Sequence, residues 1–232
     1  MNFFQHFLEL LFPPKCLSCE VLLGQDEPHI CLTCETVLGL NNIDNLLQEA
    51  LKLRFYGKVN FTNAFVCFKY YKGSNAQNLI FAIKYGSQKN AAEWLGYKFG
   101  LTIQATDWQN DLPILVPIPL HKSKLIKRGY NQSLHLAIGL SRALGFPVDS
   151  TSLIRTEKRS SQTNKERFQR WLNAEHLYNI TNNQNILNKH IILVDDVVTT
   201  GSTIEACAIE LLKAGAAKIS IIAMALALKA GQ

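Results

Sequence analysis

Apolar and polar residues are arranged along most of the chain in blocks that are typical of strands and helices in turn. Strands are predicted for four apolar or aromatic runs: Phe61–Tyr71, Leu112–Leu120, Ile191–Val194 and Lys218–Leu228. Helices are predicted where apolar residues recur at helical spacing: Ala76–Lys84, Ala91–Leu101, Asn131–Leu144 and Thr203–Ala214. Strands and helices that alternate in this order build βαβ units. The pattern therefore predicts an α/β fold with a mostly parallel sheet flanked by helices.

Two of the predicted helices have a face that should turn towards the sheet. In Asn131–Leu144 this face holds Leu134, Ala137, Ile138 and Ser141, and Gly145 should end the helix. In Thr203–Ala214 it holds Ile204, Ala208, Leu211 and Leu212, with Gly215 as the C-cap. The polar stretch Asn41–Glu49 is typical of a connector or a helix.

The first twelve residues, MNFFQHFLELLF, are apolar but carry no basic residue ahead of the apolar run. They do not match a cleaved signal peptide, and the run is too short to span a bilayer. We expect a helix that packs on the body of the protein, with a membrane-surface helix as the alternative. No other apolar run approaches the roughly 20 residues of a spanning helix, so no stable membrane insertion is expected.

Four of the six cysteines form two CxxC pairs, separated by eleven residues: Cys16, Cys19, Cys31 and Cys34. Two such pairs supply four thiolates, which matches a closed tetrahedral zinc site. A stretch this short cannot build its own apolar core, so bound metal would contribute much of its folding free energy. The alternatives are disulfides or a redox-active CxxC, although nothing indicates secretion and two cysteines are left over. Four thiolates leave no open position on the metal, so no catalysis by it is expected.

The segment Ile191–Thr203, IILVDDVVTTGST, joins a predicted strand to a predicted helix, where ligands bind in open α/β sheets. A phosphate cradle can form from hydroxyls, from N–H groups and from a glycine that lets the backbone approach an anion: Val198, Thr199, Thr200, Gly201, Ser202 and Thr203. Asp195 and Asp196 can accept hydrogen bonds from a vicinal diol or hold hydrated magnesium. A plain strand–turn–helix connection would leave these two acids unexplained. A cradle beside a diol acceptor suits a ribose 5-phosphate.

The net charge of +6 is concentrated in one part of the chain. Residues 121–170 contain eleven Lys plus Arg and three Asp plus Glu, a charge of +8, so the remainder carries about −2. Such a segment indicates an anionic partner, either phosphates or nucleic acid, with a solvated basic face as the alternative. Candidates for binding pyrophosphate follow a predicted strand that ends in prolines: Pro119, His121, Lys122, Lys124, Lys127 and Arg128, with Lys84 as a further cation. The basic, polar stretch Arg155–Asn173 could close over a ligand or could be a solvated loop.

Ile191–Thr203 resembles the signature with which type I phosphoribosyltransferases bind phosphoribosyl pyrophosphate (PRPP). The resemblance implies that Asp195 and Asp196 contact the ribose hydroxyls and that Thr199 to Thr203 hold the 5-phosphate, with magnesium accompanying PRPP.

Further segments resemble the ComF family, which carries an amino-terminal CxxC…CxxC finger on a phosphoribosyltransferase fold. Besides the cysteines and LVDDVVTTGST, these are Phe81–Gly86, Val116–Ser133, Arg155-Thr156, and Gln162 with Arg170 and Asn173. The resemblance spans nearly the whole chain. It implies an N-terminal helix and zinc-finger module over residues 1–45 and a phosphoribosyltransferase-like domain over residues 46–232. It also implies a cytoplasmic protein of natural transformation, the uptake of DNA by competent bacteria.

Two functions compete within this resemblance. The first is a competence factor that binds PRPP or a nucleotide and engages single-stranded DNA or a DNA-processing protein. The charge of residues 121–170, with Tyr130, Phe168 and Trp171, suits contact with a nucleic acid backbone and stacking on its bases.

The second is a phosphoribosyltransferase that transfers ribose 5-phosphate from PRPP to a nitrogenous base, with Asp195 and Asp196 at the reacting sugar. The hood over the base would then come from Phe61–Gly86 and the zinc module. A glutamine-using amidophosphoribosyltransferase is disfavoured, because that chemistry resembles families with an amino-terminal cysteine nucleophile and this chain begins Met1-Asn2-Phe3. No motif identifies a base or an oligomeric state.

Overall fold

The computed structural model describes residues 13–104, 108, 112–156 and 177–228 of the 232-residue chain. The predicted N-terminal helix and most of the stretch Arg155–Asn173, including Phe168 and Trp171, lie outside the described residues.

A parallel sheet forms the centre of the protein. The strands in chain order are β1 (Ala64–Tyr70), β2 (Ile114–Pro117), β3 (Leu153–Arg155), β4 (Tyr178–Ile180), β5 (His190–Val198) and β6 (Lys218–Ala227). Four of them make one sheet in the order β1-β6-β5-β2, with every neighbouring pair parallel. The short strands β3 and β4 pair antiparallel in a second sheet. The predicted α/β fold with a mostly parallel sheet is confirmed.

Helices connect the strands and cover both faces of the sheet. They are α1 (Leu32–Leu38), α2 (Asn45–Leu53), α3 (Asn75–Tyr85), α4 (Lys89–Ile103), α5 (Lys122–Arg128), α6 (Gln132–Leu144) and α7 (Ser202–Lys213). The four helices that spacing predicts are present as α3, α4, α6 and α7. The sequence pattern did not predict α1 or α5.

The central strands β5 and β6 contain long apolar runs, Ile191–Val194 and Ile221–Ala227, because both of their faces are covered. Ile192 and Val194 of β5 belong to a core with α3, α4 and α6, whereas Ile191 and Leu193 belong to a second core with α2 and α7. All four are fully buried. Burial on both sides holds β5 rigidly, and β5 carries the acids of the candidate site at its carboxyl end.

The buried face of α6 differs from the predicted one. Leu134, Ile138 and Ser141 are only half-buried, and Leu136 and Leu140 are buried instead. The reason is that α6 packs against α4 as well as against the sheet. A Cβ added to Gly139 would lie 1.9 Å from the Glu93 carbonyl oxygen, so the two helix backbones are in direct contact. In α7, Leu212 is likewise exposed, whereas Ile204, Ala208 and Leu211 are buried as predicted.

The cysteine-containing segment packs on α3 and α4. The Ser18 hydroxyl donates to the Asn75 carbonyl (3.1 Å), and the Asn78 amide donates to the Ser18 carbonyl (2.9 Å). Lys98 of α4 forms an ion pair of 2.6 Å with Glu35 of α1. The segment is therefore joined by polar contacts to both helices. Across the described ranges, no helix combines the length and the apolar character needed to cross a bilayer.

Candidate functional site

Asp195 and Asp196 lie near the carboxyl end of β5, as predicted. The Ser133 hydroxyl, in the first turn of α6, lies 3.4 Å from Asp195 Oδ1 and donates to it. The same oxygen accepts the backbone N–H of Asp196 at 2.8 Å. These contacts fix the orientation of the Asp195 carboxyl relative to the strand end.

The surroundings of Asp195 oppose its ionisation. Burial raises its pKa well above the usual aspartate range, and the neighbouring Asp196 carboxylate raises it further. The hydrogen bond from the Asp196 N–H, the positive charge of Lys84 and the Ser133 hydroxyl act in the opposite direction without cancelling the rise. Asp195 therefore takes up a proton more readily than a free aspartate does.

Asp196 faces two cations. Lys84 Nζ, at the end of α3, lies 3.2 Å from Asp196 Oδ2, and Arg128 Nη1, at the end of α5, lies 3.9 Å from the same oxygen. Arg128 also donates to the Gln132 side chain at 2.9 Å, which holds its guanidinium in place. Lys84, a predicted pyrophosphate cation, thus lies at the acids, where spacing along the chain could not place it.

The TTGST segment forms the turn between β5 and α7. Thr199, Thr200 and Ser202 are exposed, and the hydroxyls of Thr200 and Ser202 lie 3.0 Å apart. The first-turn N–H groups of a helix have no partner within the helix, so they can bind an anion. Val198, another predicted member of the cradle, is 1% exposed, so neither its side chain nor its backbone lies at the surface. The turn therefore has the composition and position of a phosphate cradle.

Gly201 has two structural reasons to be glycine. It is the N-cap of α7 and adopts a left-handed backbone with φ +83°. A Cβ at this position would also lie 2.7 Å from Cε1 of Phe55, a buried residue just after α2. This contact shows that the missing Cβ of Gly201 leaves room for the Phe55 ring. It does not test the prediction that Gly201 also leaves room for an anion.

Tyr178 of β4 lies on the buried side of the cradle. Its hydroxyl lies near the Thr203 side chain, and burial raises the pKa of Tyr178 to about 12. No sequence pattern indicated this residue, because β4 is short and Tyr178 lies 25 positions before Thr203. The contact ties the small sheet to the first turn of α7.

Three of the other predicted pyrophosphate residues, Pro119, His121 and Lys122, lie just before or at the beginning of α5. His121 is the N-cap of this helix: its Nδ1 accepts the Ser123 N–H at 3.2 Å and lies 2.7 Å from the Ser123 hydroxyl. About 9 Å of helix, at 1.5 Å per residue, separates Lys122 from Arg128 at the acids. The predicted pyrophosphate group is thus divided between the two ends of α5.

Tyr130 does not offer a face for base stacking. It is 4% exposed, and its hydroxyl donates to the Ile83 carbonyl. The prediction for Tyr130 was wrong, because the basic character of its neighbours gave no information about its burial.

The four cysteines of the two CxxC pairs come together as predicted. Their Sγ atoms all lie within 4.8 Å of one another, and those of Cys19 and Cys31 are 3.7 Å apart. That spacing suits two thiolates on one metal ion at about 2.3 Å each and far exceeds the roughly 2.05 Å of a disulfide. Backbone N–H groups of Cys31 and Cys34 point at the sulfurs of Cys16 and Cys31 at 3.3 and 3.4 Å. The cluster can hold a metal ion such as zinc.

The chain has recognisable relatives. The Phosphoribosyl transferase domain family matches residues 131–232. The DNA utilization protein YhgH of Escherichia coli K12 is 35% identical over 107 residues, 46% of each chain. The competence protein ComFC of Bacillus subtilis is 38% identical over 45% of this chain and 40% of its own length. The competence protein F of Haemophilus influenzae is 31% identical over 48% of this chain and 49% of its own length.

The chain is thus similar to competence proteins ComFC and F and to YhgH over the part that they share, and its last 102 residues match the Phosphoribosyl transferase domain family. The predicted resemblance is thereby confirmed, although the matched region spans less than half the length of each of these relatives.

Among solved structures, the glutamine PRPP amidotransferase of B. subtilis aligns over 62% of this chain and 30% of its own, at 16% identity and a TM-score of 0.42. A likeness at that level supports no statement about function.

Proposed function

We propose that this protein binds PRPP, or a nucleotide with the same ribose phosphate, and acts in the cytoplasm in natural competence. One observation carries the proposal: two adjacent acids and a hydroxyl-rich turn at a helix N-terminus lie next to each other at one strand end. The names of the ComFC and competence protein F relatives support the biological role.

Each part of the site has a proposed task. Asp195 and Asp196 accept hydrogen bonds from the ribose hydroxyls, and Thr199 to Thr203 hold the 5-phosphate. Lys84, at the acids, and Pro119, His121 and Lys122, just before or at the beginning of α5, are proposed to contact the pyrophosphate. When Mg²⁺ accompanies PRPP it neutralises pyrophosphate charge, and the carboxylates are donors of the type that it prefers. Zinc bound by the four cysteines has a structural task.

Calorimetric titration of Mg-PRPP into the wild type and into an Asp195→Ala, Asp196→Ala double variant tests the proposal. The double variant should bind at least about tenfold more weakly, because charge-assisted hydrogen bonds to the ribose are lost. Asp26→Ala, at an exposed acid in the cysteine segment, is the control and should match the wild type. Equal affinity in the wild type and the double variant would remove the central claim.

A second surface favours single-stranded DNA as the partner. Phe81 and Tyr85 are 54% and 48% exposed on α3, and their rings lie 5.1 Å apart. Lys127 and Arg128 of α5 lie over the Tyr85 ring, at 5.6 and 5.4 Å from its centroid. Exposed rings beside cations are the combination that holds stacked bases and a phosphate backbone. We propose that these four residues contact single-stranded DNA.

Fluorescence anisotropy with a labelled oligo-dT strand tests this surface. A Phe81→Ala, Tyr85→Ala variant should bind about tenfold more weakly, whereas Tyr56→Ala, at an aromatic residue that is 85% exposed elsewhere, should not. Wild-type affinity should fall steeply as salt is added. Unchanged affinity in the double variant would count against this surface and favour a protein partner.

Turnover of PRPP is the competing function, and one observation favours it. Helix α3 begins after β1 and ends with Lys84 at Asp196, so it crosses towards the acids with the cysteine segment packed on its first turns. Both α3 and the cysteine segment belong to the amino-terminal candidates for the hood over the base. Pyrophosphate release from PRPP across a panel of bases measures turnover, and silence across the panel would count strongly against it.

A further inference from the structure

The short segment Arg54–Val59, which precedes the sheet in the chain, lies against the turn proposed to hold the 5-phosphate. Arg54 Nη1 donates to the carbonyl of Thr199, the first residue after β5. Arg54 Nη2 donates at 2.6 Å to the carbonyl of Ala227, the last residue of β6. One guanidinium therefore joins the ends of two neighbouring strands where the phosphate turn begins.

The bond to Thr199 fixes the direction of a peptide group in the turn. In a trans peptide the carbonyl and the following N–H point in opposite directions. Because the Thr199 carbonyl points at Arg54, the Thr200 N–H points away from Arg54. The guanidinium thus orients a donor of the cradle and places a permanent positive charge behind it.

Two neighbours of Arg54 hold the same turn. Phe55 is 1% exposed, and its ring fills the space beside the missing Cβ of Gly201. Lys58 Nζ lies 3.1 Å from Glu205 Oε2 in the first turn of α7. The segment therefore contacts the turn at its start, at its glycine and at the helix that follows.

Helix α2, which precedes the segment Arg54–Val59, is anchored to β1 and to the core. Its N-cap Asp44 accepts the Leu47 N–H at 3.1 Å, and Leu51 is fully buried. The Gln48 amide pairs with the edge of β1, donating to the Val66 carbonyl at 2.9 Å and accepting the Val66 N–H at 2.6 Å. This anchoring lets Arg54 act as a fixed support rather than as a mobile surface cation.

We infer that Arg54 is the positioning residue of the phosphate turn: it holds the Thr199–Thr200 peptide in the orientation that receives the 5-phosphate. This inference rests on the proposed ribose-phosphate site. Lysine cannot replace it fully, because a single ammonium lacks the planar fork that reaches both carbonyls. The role differs from that of Lys84 and Arg128, which contact Asp196.

The test compares three ligands in an Arg54→Met variant. Affinity for Mg-PRPP and for ribose 5-phosphate should fall by about the same factor, roughly tenfold. Affinity for Mg-pyrophosphate should stay within about twofold of the wild type, because that ligand does not use the turn. The affinity of Arg54→Lys for Mg-PRPP and for ribose 5-phosphate should lie between that of the wild type and that of Arg54→Met. Arg142→Met is the matched control, since Arg142 lies on α6 over the Tyr97 ring, and it should bind all three ligands normally.

Hydrogen exchange of the ligand-free protein provides a readout that does not depend on PRPP binding. Amides of residues 199–203 should exchange faster in Arg54→Met than in the wild type or in Arg142→Met, with the strands of the sheet unchanged. A wild type that binds neither PRPP nor ribose 5-phosphate refutes the proposed function but leaves this exchange test of Arg54 intact. Unchanged exchange in Arg54→Met, or an equal loss of all three ligands, overturns the inference.

Discussion

Asp195 is an acid whose charged form is disfavoured by its own protein. Burial and the adjacent Asp196 carboxylate both raise its pKa, while the Ser133 hydroxyl and the Asp196 N–H hold its oxygen in place. Carboxyls with this combination are typical of binding and catalytic sites, where stability is sacrificed for the placement of a charge. The residue should therefore make opposite contributions to stability and to ligand binding.

An Asp195→Asn variant tests this directly. The pKa of Asp195 is higher in the folded protein than in the unfolded chain, where it is about 3.9. Protonated Asp195 therefore contributes its full stability below the unfolded pKa, and this contribution is lost as pH rises through the folded pKa. The amide cannot ionise, so the variant should be more stable than the wild type by about 1 kcal/mol near pH 8 and equal to it near pH 4. Urea unfolding at the two pH values measures the difference.

Asp26→Asn serves as the control for that measurement, because its carboxyl is exposed and should show no pH-dependent gain. A variant equally stable or less stable than the wild type near pH 8 would contradict the assignment. The stabilised Asp195→Asn variant should also bind PRPP more weakly than the wild type.

At this scale the sequence predicted residue types but not their partners. The DDVVTTGST pattern identified the acids and the hydroxyls because they are contiguous. Ser133 is 62 positions from Asp195, and Arg54 is 145 positions from Thr199, so only the folded chain brings them together. Tyr130 shows the reverse error, since a tyrosine within a basic stretch proved to be buried.

The pairing of α4 with α6 determines where the first turn of α6, and with it Ser133, is placed. A Cβ on Gly96 would lie 2.2 Å from the Leu136 carbonyl oxygen, and one on Gly139 would lie 1.9 Å from that of Glu93. Real Cβ atoms do not approach backbone oxygens so closely, so the two helices fit only because both positions are glycine.

A Gly139→Ala variant should therefore be less stable by about 3 kcal/mol or more, because a backbone rather than a flexible side chain must move. Gly24→Ala is a suitable comparison, since its added Cβ would meet nothing closer than 3.5 Å, at a side-chain oxygen of Glu27. That change should alter the free energy of unfolding by about 0.5 kcal/mol at most. Similar unfolding midpoints for the two variants would show that α4 and α6 can move apart without a loss of stability.

The elements themselves were largely predictable, because strands buried on both faces and helices at regular spacing leave clear patterns. The predicted face of α6 was wrong for a physical reason: the helix buries two sides, and glycine carries no hydrophobic signal. Helix α5 was missed because its sequence, KSKLIKR, is exposed and basic, and none of its residues is buried.

At the scale of the whole molecule, α3 connects the cysteine cluster to the proposed ribose-phosphate site. Asn75 and Asn78, in its first half, hydrogen-bond with Ser18, which lies between Cys16 and Cys19. Lys84, in its last turn, pairs with Asp196. The order of the strands and this connection depend on contacts between distant parts of the chain, so the sequence alone did not reveal them.

Removal of the metal should affect both ends of α3. A zinc chelator should lower the melting temperature by about 10 °C, because a bound structural metal contributes several kcal/mol to folding. Hydrogen exchange in residues 75–85 should become faster. A Cys16→Ser variant should show the same changes without chelator and no further change with it. An unaltered melting curve in the chelated wild type would contradict a structural metal in the cluster.

If metal and PRPP are coupled through α3, their binding obeys thermodynamic reciprocity. Whatever factor zinc adds to the affinity for PRPP, PRPP must add to the affinity for zinc. A cell short of zinc would then lose liganded protein at a PRPP concentration that is otherwise sufficient, and abundant PRPP would slow the loss of metal. One helix of eleven residues would make this protein a sensor of two supplies at once.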